Sequence, residues 1–102
     1  MNTIRKSKVI TADYTVELYD YGKIFVNTND NVTITIPTPD EDLDLYVKNK
    51  GTGITTVVKQ NGVPTATRAN RKFDTDFESI YVAKNQCYLI SYVKDLDRFE
   101  IL

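Results

Sequence analysis

From Tyr14 to Val58 the chain alternates apolar and polar residues in short runs, and a turn signal closes each run: YTVEL, KIFVN, VTITI, LDLYVKN and ITTVV. The period of two is cleanest in Val32-Thr33-Ile34-Thr35-Ile36, the pattern of a half-buried strand. Strands are predicted at Asp13–Leu18, Lys23–Asn27, Val32–Ile36, Leu43–Asn49, Ile54–Gln60, Phe77–Val82, Cys87–Val93 and Arg98–Leu102. Alternation nominates Val16, Leu18, Ile24, Val26, Ile34, Ile36, Leu45, Val47, Leu89 and Ile101 for the core.

The punctuation between the runs is equally regular. Tyr19-Asp20-Tyr21-Gly22 supplies a turn in which Gly22 accepts positive φ, and the spacing suggests a hairpin joining its two flanking strands. Thr28-Asn29-Asp30-Asn31 is a polar turn, Pro37 and Pro39 end a ladder, and Asn61-Gly62 is a strong hairpin signal. Residues 63–76 read as a long polar loop with a contact-making role. No sustained helical period and no internal repeat stands out. The expectation is an all-β chain: a single antiparallel β-sandwich, jelly-roll or immunoglobulin-like, of about eight strands. Residues 1–12 form an N-terminal arm or a first edge strand, and 13–102 the sandwich domain.

Composition narrows the function more than the fold. A net charge of −1 gives no overall field toward nucleic acid or an anionic membrane, so neither is expected as a partner. Histidine is absent, which removes Ser-His-Asp and Cys-His pairs and histidine-based zinc sites. The single Cys87 sits in the apolar run Cys87-Tyr88-Leu89-Ile90, where a buried, inert thiol is expected. Asp40, Glu41, Asp42 and Asp44 match no dedicated calcium loop and read as an acidic turn. No catalytic residue, cofactor or metal is assigned, and the carboxylates are expected to be solvated. The N-terminus lacks the apolar core of a signal peptide, so synthesis in a reducing cytoplasm is expected.

What remains is surface. Ile4, Arg5, Lys6 and Lys8 make a basic arm suited to an acidic partner face, or a solvated terminus. Tyr19 and Tyr21 flank a turn and are candidates for an exposed aromatic contact. Arg68 and Arg71 lie in the 63–76 loop and could meet an acidic surface. These eight residues are the candidate protein interface.

Several of the same segments carry a likeness to a known kind of protein. Tyr14-Thr15-Val16, Asp20-Tyr21-Gly22-Lys23, Asn31–Pro37, Val47–Gly53 and the closing Asp97–Leu102 together resemble a module of tailed-bacteriophage virion proteins, found in tail fibres, head fibres and auxiliary capsid proteins. The likeness covers nearly everything after residue 12, and Phe99 stands where such modules often carry Trp. It implies a non-enzymatic virion subunit, of auxiliary capsid or decoration type, whose partners are other virion proteins or further copies of itself. The alternative it leaves open is a module that binds host-surface glycans.

Overall fold

The computed structural model describes residues 6–37, 39–59, 79–96 and 98–101. Among these it contains nine strands: β1 (Ser7–Ile10), β2 (Tyr14–Thr15), β3 (Ile24–Asn27), β4 (Val32–Ile36), β5 (Leu43–Asn49), β6 (Thr55–Lys59), β7 (Ser79–Val82), β8 (Cys87–Val93) and β9 (Arg98–Ile101). Two single 3-10 turns, Leu18–Asp20 and Lys94–Leu96, complete the regular structure. The strands form a five-stranded sheet, β1-β3-β5-β8-β9, and a four-stranded sheet, β2-β4-β6-β7. Their inward side chains, including Phe25, Leu45, Val47 and Phe99 from the first and Ile34, Ile36, Val57 and Ile80 from the second, make one apolar cluster.

The chain is all-β, but it is not an antiparallel stack of hairpins. It steps from one sheet to the other with nearly every strand. β1 runs parallel to β3 and β3 to β5, while β2 runs parallel to β4 and β4 to β6. Each pair β1–β2, β3–β4 and β5–β6 is therefore one rung of a flattened coil. β7 and β8 make a last rung that runs backwards, antiparallel to β6 and β5, and β9 closes the edge of the larger sheet beside β8. The expected hairpin across Gly22 does not form, because β2 and β3 lie in different sheets. Gly22 itself has the predicted positive φ, +88°.

Turn direction, not length, makes the difference. The four residues 94–97 return β8 beside β9, whereas the four residues 28–31 carry the chain from β3 into the other sheet. Buried asparagines bend the crossing turns. Asn27 Oδ1 accepts from the Asn29 amide at 2.9 Å, and its Nδ2 donates to the Asp30 carbonyl at 2.9 Å. Asn49, its partner in register one rung on, repeats the geometry with the Gly51 amide at 2.9 Å and the Gly53 carbonyl at 2.7 Å. A further bond ties each to the next rung: Asn27 Nδ2 to Thr55 Oγ1 at 3.0 Å, and Asn49 Nδ2 to the Val82 carbonyl at 2.9 Å. The chain thus does contain a repeat, a buried Asn followed by a polar or glycine turn and a Thr/Val/Ile strand.

The asparagines also reset the alternation. With Asn27 inward, Phe25 is inward too, so Ile24 and Val26 turn to the outer surface and are only half-buried. Tyr88, Ile90 and Tyr92 likewise take the core side of β8 and leave Leu89 half-buried. Leu18 is 68% exposed, since the strand period ends at Thr15 and the 3-10 turn begins at Leu18. The other nominated core residues, Val16, Ile34, Ile36, Leu45, Val47 and Ile101, are buried. Cys87 is exposed, not buried, because it begins β8 on the outward phase.

Candidate interaction surface

Three surfaces emerge, and each follows from strand phase. Side chains alternate across a sheet, so the neighbours of inward Phe25, Val47 and Tyr88 point out. On the five-stranded sheet this places Ile24, Tyr46 and Leu89 side by side in register, with Ser7 at the end of the row. The adjacent row is Val9, Val26, Lys48 and Cys87. Val9 is 61% exposed, and Ile24, Val26, Tyr46 and Leu89 are half-buried, so these two rows form a largely apolar patch, bordered by the polar row Asp44-Ser91-Glu100.

On the four-stranded sheet, inward Ile34, Val57 and Ile80 are in register, and the residues flanking them face out. One outward row is Thr33-Thr56-Tyr81; the other is Thr15-Thr35-Val58-Ser79. Tyr81 is exposed.

The third surface is the corner between β2 and β3. Asp20 is fully buried there, contrary to the expectation of a solvated carboxylate. It accepts hydrogen bonds from the Tyr14 hydroxyl, the Glu17 amide at 3.0 Å and Lys23 Nζ at 3.0 Å. Burial alone would push its pKa up; the Tyr14 hydroxyl, the Glu17 amide and the Lys23 ammonium together reverse that and hold it below the ordinary carboxylate value. The same bond makes the Tyr14 proton harder to remove, raising that phenol's pKa.

Within this corner the two candidate tyrosines part company. Tyr19 is 69% exposed, with its hydroxyl donating to Glu17 Oε2 at 2.9 Å and Lys23 Nζ lying 5.4 Å from its ring centre. Its pKa is raised, chiefly by that hydrogen bond. Tyr21 is half-buried, packs against the core and donates to the Pro37 carbonyl, and burial raises its pKa. It acts as a brace for the corner.

The basic arm is also divided. The Lys6 carbonyl accepts from the Ile24 amide at 2.8 Å, and Lys8 lies in β1, the edge strand of the five-stranded sheet, with Nζ 4.9 Å from the Tyr14 ring centre. Both lysines are therefore anchored along the sheet edge. Ile4, Arg5, Arg68, Arg71, the Asn61-Gly62 turn and the 63–76 loop lie outside the described residues. The residues that sequence reasoning missed are the outward apolar row and the threonine rows. The apolar row was present in the alternation but was assigned to the wrong face on β3 and β8, whereas the threonine rows follow from the inward phase of Ile34 and Ile36 and were simply not singled out.

Comparison of the chain with family models, curated proteins and solved structures returns no match.

Proposed function

We propose that this chain is a structural subunit of a tailed-bacteriophage virion, of auxiliary capsid or decoration type, and that it works by protein–protein contact without catalysis. It is made in the host bacterial cytoplasm and resides in the particle. We read its two sheets over one core as a single sandwich wound as a coil. The observation that carries the functional reading is the outer face of the five-stranded sheet. There Ile24, Val26, Tyr46 and Leu89 are only half-buried and Val9 is exposed, in two adjacent register rows. Contiguous apolar surface of this kind marks protein contacts. The likeness of the strand-and-turn segments to virion modules supplies the particle as the setting. Partners are other virion subunits, or further copies of this chain.

The test is direct. Mass spectrometry of purified particles should find the chain in the virion, and V9K combined with V26K should leave it folded but reduce incorporation at least about tenfold. Absence from particles, or full incorporation of the double variant, would overturn the reading.

A further inference from the structure

The corner between β2 and β3 pushes two consecutive apolar side chains into solvent. Leu18 and Tyr19 are 68% and 69% exposed, above Val9 and Tyr81 at 61%. They are presented rigidly on their 3-10 turn: the Asp20 amide donates to the Glu17 carbonyl at 2.8 Å, and the buried Asp20 carboxylate accepts from the Glu17 amide at 3.0 Å. A tip fixed before contact loses little freedom on binding, and a well-placed Tyr is a favoured anchor. An anion stands beside it. Exposed Glu17 accepts from the Tyr19 hydroxyl at 2.9 Å, so the tip joins one carboxylate to two apolar side chains.

The apolar patch of the five-stranded sheet has the complementary make-up. In its two rows, Ser7-Ile24-Tyr46-Leu89 and Val9-Val26-Lys48-Cys87, the charged residue is a cation, Lys48, half-buried and in register with Val26. Tip and patch adjoin on one molecule, because the Gly22 amide donates to the Asp44 carbonyl at 2.6 Å and β5 continues from there into Tyr46 and Lys48. A twofold axis beside them sets each copy's tip on the other's patch, so two equal contacts form at once. The other route to a dimer, edge strand β1 against β1, pairs Ser7 with Val9 and sets Lys8 opposite Lys8, which like charge opposes. We infer that this chain pairs with a second copy of itself, Leu18 and Tyr19 of each packing on Val26, Tyr46 and Leu89 of the other, with Glu17 against Lys48. This pairing rests on the reading of the patch as a protein contact, and names its occupant.

Sedimentation equilibrium of the full chain is the test. A mass twice 11.7 kDa is expected as concentration rises. E17K and K48E should keep the circular dichroism spectrum, and each should raise the dissociation constant at least about tenfold by setting like charges together. An equimolar mixture of the two should recover the dimer, since the reversed charges then face each other. Y19A should weaken association by about the same factor while leaving the unfolding of dilute, monomeric protein unchanged. A monomer at every concentration up to about 1 mM would overturn the pairing. Single variants that associate like the natural chain, a mixture that fails to recover, or species larger than a dimer would overturn it equally. The virion role is separable. A monomer whose incorporation into particles still falls with V9K and V26K would leave the patch as a contact with a different subunit and reject only the pairing. A dimer absent from particles would keep the pairing and reject the virion role.

Discussion

The two ends of the flattened coil solve the same problem in opposite ways. At one end the crossings after Asn27 and Asn49 repeat one geometry, and the turns before and after them stack on the pair. The turns stack directly: the Asn29 side chain donates to the Thr11 carbonyl at 2.8 Å, the Thr52 amide to the Asn29 carbonyl at 2.9 Å, and the Asn85 amide to the Asn49 carbonyl at 2.7 Å. At the other end each described crossing is particular. One is the Asp20 corner, and another passes Pro37 and Pro39 into the exposed acids Asp40, Glu41 and Asp42. The stacked end uses buried neutral amides, whose lone pairs and protons are satisfied within the stack, so one rung specifies the next. The Asp20 end buries a carboxylate against a phenol, an amide and an ammonium, so its strength depends on protonation.

That contrast predicts unequal responses to substitution. The largest is expected at the stacked end, from N49A. It strips the Gly51 amide and the Gly53 and Val82 carbonyls of a partner inside a tightly packed turn, and should cost about 3 kcal/mol in chemical denaturation. A loss under about 1 kcal/mol would mean that the ladder does not hold the rungs.

G51A comes next. A Cβ at that position would lie 1.8 Å from the Asn29 carbonyl oxygen, so the stacked backbones must separate. A cost of about 2–3 kcal/mol is expected, as for other overpacked sites. Ala in place of Gly22, where nothing lies within 4 Å, meets only the strain of its positive φ and should cost about 1 kcal/mol. Equal losses at the two glycines would contradict close stacking.

At the Asp20 end the response should depend on pH. The folded pKa of Asp20 lies below its unfolded value, so the unfolded chain binds the proton first as pH falls. The stabilisation is whole above the unfolded value of about 3.9 and disappears as pH drops through the folded one. D20N should cost about 1–2 kcal/mol at neutral pH, and much less at pH values below the folded pKa, where the native chain has also lost its carboxylate. Thermal melts of both proteins across that range check the sign; a constant difference would refute it.

The smallest effect is expected from Y19A. Its contacts with Glu17 and Lys23 are solvent-exposed, and a change within about 0.5 kcal/mol is expected from equilibrium unfolding.

The outer faces repeat the lesson in another form. Both belong to sheets built on the same alternation, yet one presents Ile24, Val26 and Leu89 and the other Thr33, Thr35 and Thr56. Which residues reach the surface depends on strand phase, and on β3 that phase is set by a single buried amide.

Much of the fold was legible in the chain itself. The period of two at Val32–Ile36, the prolines after it and the glycine at position 22 are local signals, and the strand, its end and the positive φ all lie where those residues put them. The inward phase of β4 and β5 was equally plain, because Ile34, Ile36, Leu45 and Val47 alternate with polar neighbours. Tertiary structure alone decided the rest. Parallel against antiparallel pairing depends on where a turn delivers the chain, and the Asn27 and Asn49 side chains that bend those turns each make a further hydrogen bond to the next rung, a partner distant in sequence. In KIFVN the apolar residues Ile24, Phe25 and Val26 are contiguous, so alternation had no polar marker to choose a face. The choice fell to the inward amide of Asn27, because a buried polar group is tolerated only where its partners already stand.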